Sequence, residues 1–241
     1  MIQTFKVLSL LLTYPTENFK AGARELSAAI KKEALLPKQH MALLGKLIAE
    51  METRDIYDLQ ERYVLLFDRT RSLSLHLFEH VHGEGSDRGQ AMLDLKALYD
   101  KHGLDISASE LPDFLPLFLE FLSTRSLNEA RELLNQPLHI IAVLRKRLQK
   151  RGSIYASVFR ALESIASGKP SAGLLKDLLR IADDDPEDFE QLDKAWEDEA
   201  VTFGPGAGQS DGCNPNRIAS RLRAAKRPAP GPNISSGSGS N

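Results

Sequence analysis

The stretch ELPDFLPLFLEFL (residues 110–122) carries the most regular apolar pattern in the chain. Its apolar positions follow the i, i+3, i+4, i+7 series of a broad helical face: Leu111, Phe114, Leu115, Phe118, Leu119 and Leu122. Leu117 and Phe121 are also apolar, so the predicted helix is hydrophobic nearly all round and belongs in the core, or between the core and a partner. Pro112 and Pro116 fit at or before its first turn, where a missing N–H costs little.

A second stretch, RTRSLSLHLFEHVHGEGSDRGQ (residues 69–90), combines apolar residues, three histidines and several charges. Its apolar residues recur at helical spacing, which predicts a helix with one apolar and one polar face. The apolar face consists of Leu73, Leu77, Phe78 and Val81, and the polar face of His76, Glu79 and His80.

A glycine-rich turn separates this predicted helix from the next one. Asp87, with Gln90 three residues later, indicates an N-cap and a capping box. Met92 and Leu95 lie on one face of the helix that follows, and Gly103 fits the C′ position at its end.

Apolar residues recur at helical spacing through the rest of the chain as far as about residue 180. The predicted helices begin near Phe5, Phe19, Met41, Asp55, Leu127, Ile140, Ile154 and Leu174. The basic run RKRLQKR (residues 145–151) ends one of them before Gly152, and we expect it to be a solvated helix terminus. No alternating β pattern of useful length occurs, so the predicted fold is all-α, a single-domain bundle of roughly eight to ten helices.

The composition narrows the classes of function. The chain has 241 residues, 42% of them hydrophobic, which is enough for one helical domain with a sizeable core. A formal net charge of −2 favours neither nucleic acid nor an anionic membrane as a partner. Cys213 is the only cysteine, so no internal disulfide can form, which favours the cytoplasm. The apolar runs are far shorter than the ~18 residues that a membrane-spanning helix needs, so we expect no membrane insertion.

The composition changes sharply at Asp183. We expect residues 1–182 to form the helical domain, and the strongly acidic residues 183–203 to be partly helical or mobile. Residues 204–241 are rich in Gly, Pro and Ser and contain the basic run RIASRLRAAKR, so we expect a disordered tail.

The sharpest catalytic signal is HLFEH (residues 76–80), which matches the H-x-x-E-H pattern of inverted zinc peptidases. Such a site needs two imidazoles one turn apart on a helical face, a carboxylate beside them and a third ligand from elsewhere. Candidates for the third ligand are Glu110, Glu120 and His82. A pattern with three fixed positions arises readily by chance, so we favour the alternative that both histidines hydrogen-bond neighbours such as Asp87, Arg88 or Glu120.

No other pattern indicates catalysis. The chain has no G-x-x-x-x-G-K-[ST] phosphate loop and no G-x-G-x-x-G after a strand. Cys213 falls in the tail that we expect to be disordered, which is a poor setting for a nucleophile. We therefore expect no catalytic residue and no resident metal.

Residues 68–95 followed by residues 110–122 strongly resemble the NarJ-type assembly chaperones of respiratory nitrate reductase. These belong to the wider redox-enzyme maturation group that includes the TorD and DmsD chaperones. The resemblance also covers three further segments and spans roughly residues 5–204. They are FKVLSLLLTYPT (residues 5–16), YVLLFDRTRS (residues 63–72) and AWEDEAVTFG (residues 195–204).

This resemblance implies a TorD/NarJ-like fold and a chaperone rather than an enzyme. Such chaperones hold the N-terminal segment of the catalytic nitrate reductase subunit in an elongated, largely hydrophobic groove. They keep the apoenzyme competent for insertion of an iron–sulfur cluster and the molybdenum cofactor, and they delay its docking on the membrane partner. The resemblance also implies cofactor-delivery proteins as further partners and no cofactor stably bound by the chaperone itself. We expect the chain to be mostly monomeric.

We expect apolar residues of the two decisive stretches and the helix between them to line the groove: Leu73, Leu77, Val81, Met92, Leu95, Leu115, Phe118 and Leu119. The charged and polar members of the motif are Asp68, Arg69, Arg71, His76, His80, His82, Asp87, Arg88 and Glu120. Pairing of Arg69 or Arg71 with Asp87 or Glu120 is one role for them, because bidentate Arg–carboxylate pairs are directional. Capture of polar groups on the client peptide is the other.

Overall fold

The structure of the chain is a computed structural model that describes residues 1–81, 86–107, 110–181 and 183. The side chains of Ser86 and Asp87 are not described. The chain divides into two compact units, residues 1–193 and 194–241, and every described residue belongs to the first. Our expectations for the acidic segment beyond Asp183 and for the tail therefore lie outside the described residues.

The described part of the chain contains eleven α-helices, and all of it is helix or connection. They are α1 (Gln3–Leu11), α2 (Glu17–Ala21), α3 (Ala23–Glu33), α4 (Lys38–Thr53), α5 (Ile56–Tyr63), α6 (Ser86–Lys101), α7 (Leu115–Ser123), α8 (Leu127–Asn135), α9 (Leu138–Lys150), α10 (Ala156–Ile165) and α11 (Ala172–Arg180). A π-helical turn (Val64–Asp68) and two 3₁₀ turns (Arg71–Leu73 and Leu77–His80) lie between α5 and α6. Within these residues there is no strand, which confirms the all-α prediction.

The core is built around α7, which packs against α1 and α8. Only Leu117 and Glu120 of this helix are even partly exposed, as the predicted all-round apolar character requires. The helix begins at Leu115 with Pro116 in its first turn, which confirms the expected position of the prolines. Leu111 precedes the helix and is half exposed, so it does not extend the apolar face.

The remaining layers pack onto this centre. α3 packs against α1 and α4, α10 packs against α4 and α9, and α11 lies on α9. Glu33 at the end of α3 reaches the start of α1, where its carboxyl oxygens accept hydrogen bonds from the backbone N–H groups of Gln3 (2.9 Å) and Thr4 (2.6 Å). These N–H groups have no partner within α1, so Glu33 acts as a cap supplied from elsewhere in the chain.

Two glycines end helices as the sequence predicted. At the end of α6, Gly103 has a φ of 75°, and the N–H groups of Gly103 and Leu104 donate to the carbonyls of Asp100 (3.1 Å) and Tyr99 (3.0 Å). This is a Schellman motif, and it needs a left-handed residue at C′. Gly152, with a φ of 65°, ends α9 in the same way.

Two helices differ from the predicted boundaries. The helix predicted from Phe19 through Ile30 is two helices, α2 and α3, which meet at Gly22. Glycine is among the weakest helix formers, and here it ends one helix and precedes the next. α6 begins at Ser86, so Asp87 lies inside its first turn rather than at the predicted N-cap position.

Candidate functional site

Residues 69–81, here called the motif loop, do not form the α-helix that we predicted. Two 3₁₀ turns are separated by an extended segment. Leu73, Leu75 and Leu77 are all buried, so the buried leucines are spaced two residues apart, as in an extended chain. The apolar period in SLSLHL was therefore two rather than 3.6, and the helical interpretation was wrong.

The motif loop pairs with the segment that leads into α7. His76 and Phe114 form an isolated antiparallel bridge. On either side of it, the Leu77 N–H donates to the Asp113 carbonyl (3.0 Å) and the Leu115 N–H to the Leu75 carbonyl (2.9 Å). The loop is thus joined by backbone hydrogen bonds to the first residue of the central helix.

Asp113 organises the loop from beneath. Its side chain is 0% exposed. Oδ2 accepts a hydrogen bond from the Phe78 N–H (3.0 Å), and Oδ1 lies 3.2 Å from His76 Nδ1. The hydrogen bond with Asp113 raises the pKa of His76, although burial of the ring opposes the shift. A buried carboxyl is costly unless it is hydrogen-bonded, so these contacts and the loop conformation depend on each other.

His80 is held differently. Its Nε2 lies 2.8 Å from the Ser74 carbonyl oxygen, and burial lowers the pKa of the ring despite that hydrogen bond. His76 and His80 are therefore bound to separate partners, neither of which is Arg88 or Glu120, and the Asp87 side chain lies outside the described residues. The helix that a zinc site would need is absent, because Leu77–His80 is a 3₁₀ turn. The described residues include no group of three or more metal-ligating side chains, and His82 lies outside them.

The basic run at the end of α9 is only partly a solvated terminus, because Lys146 and Lys150 are exposed but Arg147 is only 6% exposed. Its guanidinium donates to the carbonyls of Ser72 (2.8 Å), Leu178 (3.0 Å) and Ile181 (3.2 Å). The first of these belongs to the motif loop and the other two to the end of α11. The prediction failed because Arg147 lies on the inner face of α9, three residues after the buried Leu144.

Asp183 continues this arrangement. Its Oδ1 accepts from Ser72 Oγ (2.9 Å) and from Arg151 Nη2 (2.8 Å). Burial opposes ionisation, but the hydrogen bonds from Ser72 and Arg151 outweigh it, so the pKa of Asp183 lies below its ordinary value. The chain segment after α11 is thereby fixed to α9 and to the motif loop.

These elements enclose a pocket of about 330 Å³ between the motif loop, α9 and α11, within the 300–1,000 Å³ range of ligand sites. Its lining residues are Arg71, Ser72, Glu79, His80, Arg147, Leu178 and Ile181. Glu79 also faces Arg88 of α6, with Oε1 3.5 Å from Nη2. The motif loop therefore lies between α6, which it contacts through Glu79, and the pocket beside α11.

The predicted groove residues fall into two groups. Five are buried in the core: Leu73, Leu77, Leu115, Phe118 and Leu119. Val81 is 41% exposed, and Met92 and Leu95 are partly buried. Contact of any of the eight with a client remains a prediction, and the last three are open to it as the chain stands.

The predicted charged residues are only partly brought together. Glu120 pairs with Lys6 of α1 rather than with Arg69 or Arg71, so that pairing was wrong. Among the described side chains, Arg69 and Arg71 take part in no ion pair, and both are exposed, as is Asp68. Arg88 pairs with Glu79, a partner that we did not predict.

Sequence reasoning missed Asp113, Arg147, Ser72 and Asp183 as site residues. Two of them carry a recognisable signal. Asp113 is the only charged residue in the apolar run of residues 111–119, and Arg147 occupies an inner position of α9. A charge at an apolar position is informative because it must be paired when buried.

No helix in residues 1–81, 86–107 and 110–181 is long and apolar enough to cross a membrane. The family model for the nitrate reductase delta subunit matches residues 17–161. The chain belongs to this family. It is 42% identical over 206 residues to the nitrate reductase molybdenum cofactor assembly chaperone NarJ of Escherichia coli strain K12, covering 85% of this chain and 86% of that protein. The resemblance to NarJ-type chaperones is thereby confirmed.

More distant similarities extend the comparison. The nitrate reductase-like protein NarX of Mycobacterium tuberculosis strain H37Rv is 32% identical over 154 residues, which cover 64% of this chain and 23% of NarX. A solved structure assigned as a redox enzyme maturation protein of Archaeoglobus fulgidus is 26% identical, with a TM-score of 0.50 over 68% of this chain and 91% of that one. The family's helical fold is thus shared by proteins of low sequence identity.

Proposed function

We propose that this chain is a system-specific cytoplasmic chaperone that binds the N-terminal segment of a nitrate reductase catalytic subunit. It keeps the apoenzyme competent for iron–sulfur and molybdenum cofactor insertion before membrane docking, with cofactor-delivery proteins as further partners. The observation that carries this proposal is the 42% identity to NarJ across 86% of that protein, whose name states its role in molybdenum cofactor assembly.

The surface around the motif loop supports this role. An amphipathic peptide helix binds by laying an apolar face into a groove. In the free chain, Leu178 and Ile181 at the end of α11 supply the apolar lining of the pocket beside the loop, and Val81 adds an exposed apolar side chain on the loop itself. Arg71 at the rim is available to a polar or acidic group of the client.

The buried members of the groove set have a supporting role in this proposal. Leu73 and Leu77 fix the inner side of the loop, and Leu115 joins it to α7 through its backbone. Met92 and Leu95 of α6 extend the surface on the side where Arg88 meets Glu79. The client therefore contacts the loop, α6 and α9, while α7 holds the loop in place.

A role without catalysis by this chain fits the site. His76 is bound to Asp113 and His80 to the Ser74 carbonyl, so neither ring is presented with the other to a shared ion. A general base and a metal-bound water need two imidazoles that converge on one point. The hydrolase alternative therefore has no geometric support among the described residues.

Calorimetry with a synthetic peptide of the client's N-terminal segment tests the proposal. We expect a dissociation constant between about 1 µM and 1 nM, and a negative heat-capacity change because apolar surface is buried. Val81→Asp should weaken binding by about tenfold or more, since it places a charge at an interface contact. Tyr57→Asp is the matched control, because Tyr57 is an exposed aromatic residue on α5 that lines no part of the pocket.

Two results would count against the proposal. One is absence of heat with the wild-type chain, and the other is equal affinity for a peptide of the same composition in scrambled order. If Val81→Asp and Tyr57→Asp lose affinity equally, the client does not bind specifically at the motif loop.

A further inference from the structure

α11 is held on the domain by few apolar contacts. Leu178 is its only buried residue, and Leu175 is partly buried against the core. Leu174 is 50% exposed, and Leu179 and Ile181 are exposed as well. The helix is amphipathic, but it leaves several of its apolar side chains uncovered.

The polar contacts that hold α11 recognise a helix end rather than its sequence. Arg147 donates to the carbonyls of Leu178 and Ile181, and the last carbonyls of any helix lack partners within that helix. The C-terminal end of a helix also carries partial negative charge, which favours a nearby guanidinium. Asp183, just beyond the helix, adds a carboxylate that Ser72 and Arg151 bind.

The packing on both sides of this helix end is incomplete. One side carries the 330 Å³ pocket already described. The other carries a hollow of about 300 Å³ lined by Lys146, Arg147, Lys150, Leu179, Arg180, Ile181 and Asp183. α11 therefore does not cover the whole surface between α9 and the motif loop.

We infer that the surface of α9 and the motif loop beneath α11 is a helix-docking surface, which α11 occupies in the free chain and an amphipathic helix of the client takes over in the complex. This inference rests on the proposed function and concerns the regulation of the same site. The surface includes Ser72 of the motif loop and Arg147 of α9, which are joined by a hydrogen bond.

The features of α11 that contact this surface indicate which kind of client segment can bind there. It is a helix with two apolar side chains about one turn apart, as in Leu175 and Leu178, and with free C-terminal carbonyls for Arg147. A carboxylate shortly after the helix end completes it, as Asp183 does here. A client segment of this description can replace the apolar contacts of α11 and the hydrogen bonds that Arg147, Ser72 and Arg151 donate.

Competition by α11 has a measurable consequence. Only the fraction of molecules in which α11 has left the surface can bind the client, so the apparent dissociation constant is the intrinsic one divided by that fraction. A substitution that weakens the packing of α11 on α9 should therefore lower the apparent dissociation constant of the client, although it removes a contact from the free chain.

Hydrogen exchange of the full chain with saturating client peptide tests the inference directly. We expect the amides of α11 to exchange faster in the complex than in the free chain, while those of the motif loop and α9 exchange more slowly. Unchanged or slower exchange in α11 would overturn the inference. If the peptide alters exchange nowhere in the chain, the proposed function itself fails, which is a separate result.

A pair of variants gives a second, independent measurement. Leu178→Ser loosens α11 without altering the surface beneath it, and we expect the peptide's dissociation constant to fall by about three- to tenfold. Leu174→Ser changes an exposed leucine of the same helix and should leave the constant unchanged. Weaker or unchanged binding by Leu178→Ser, with native circular dichroism, would show that α11 is a wall of the site and overturn the inference.

Discussion

α7 and the motif loop are neighbours in the fold, joined through the backbone of Leu115 and Leu75, yet they are stabilised by different interactions. α7 is stabilised by apolar contacts over nearly its whole surface. The motif loop buries Leu73, Leu75 and Leu77, but its conformation depends on Asp113 beneath it and on Arg147, which binds the Ser72 carbonyl.

The difference shows what apolar spacing can decide. In residues 115–122 the spacing and the packing agree, and a helix forms. In residues 73–81 the same kind of spacing was present, but the buried carboxyl of Asp113 accepts the Phe78 N–H and the loop pairs with the chain before α7. Tertiary hydrogen bonds to the backbone therefore override a helical pattern when they come from a buried group that needs partners.

The largest expected effect is a loss of stability caused by a polar substitution in α7. Phe118→Asp places an unpaired charge on the buried face of α7. We expect it to lower the free energy of unfolding by about 4 kcal/mol or more. Urea denaturation followed by circular dichroism measures the loss. Leu111→Asp is the control, because Leu111 belongs to the same apolar series in the sequence but is 46% exposed before the helix, and it should cost less than about 1 kcal/mol.

The opposite result would be equally informative. If Phe118→Asp keeps the stability of the wild type and loses only the client peptide, then α7 contacts the client, as the sequence alone suggested. The central helix would in that case be part of the binding surface rather than its support.

The second largest effect is expected from removal of the Asp113 carboxyl group beneath the motif loop. Asp113→Ala removes the acceptor of the Phe78 N–H and the partner of His76, and we expect it to destabilise the chain by about 2–4 kcal/mol. Client affinity should fall at a temperature where the variant is still folded, because the motif loop loses its conformation. Asp100→Ala on α6 is the control, since its carboxyl forms only an exposed pair with Lys96 and should matter by at most about 1 kcal/mol.

A native helical spectrum is expected for Asp113→Ala, since the motif loop contributes no α-helix to it. Full client affinity in this variant would mean that the conformation of the loop does not matter for binding.

The same contrast explains what the sequence could predict. The all-α class, the central position of α7 and the helix ends at Gly103 and Gly152 follow from apolar spacing and helix-end chemistry, which act locally. The site depends on contacts between residues far apart in the chain. Ser72 is hydrogen-bonded to Arg147, which is 75 residues away in the sequence, and to Asp183, which is 111 residues away. No local sequence pattern predicts contacts at such separations.

Part of the site was nevertheless visible in principle. A charge on an otherwise apolar helix face, such as Arg147, predicts a buried partner, although it does not say which one. The alternation of leucine with serine and histidine in residues 72–77 indicates an extended segment. Both signals were outweighed by the helical spacing of Leu73, Leu77 and Val81, which the fold does not use.

The smallest effects concern the two histidines of the motif loop, whose pKa values move in opposite directions. The pKa of His76 is raised by its hydrogen bond with Asp113, so the folded chain binds that proton more tightly than the unfolded chain does. Its contribution to stability is complete below the unfolded value of about 6.5 and is lost as the pH rises through the folded value. Burial lowers the pKa of His80, so its contribution is present above about 6.5 and is lost as the pH falls through the folded value.

Urea titrations between pH 5 and pH 8.5 separate these contributions. The destabilisation caused by His76→Gln should be larger at low pH than at high pH, because only protonated His76 gains the full interaction with Asp113. The destabilisation caused by His80→Gln should show the opposite trend, since acid already weakens the wild type by forcing a proton onto a buried ring. Parallel trends in the two variants would contradict the separate partners that the structure gives these rings. Opposite trends would show that the two histidines titrate independently, as a shared metal site would not allow.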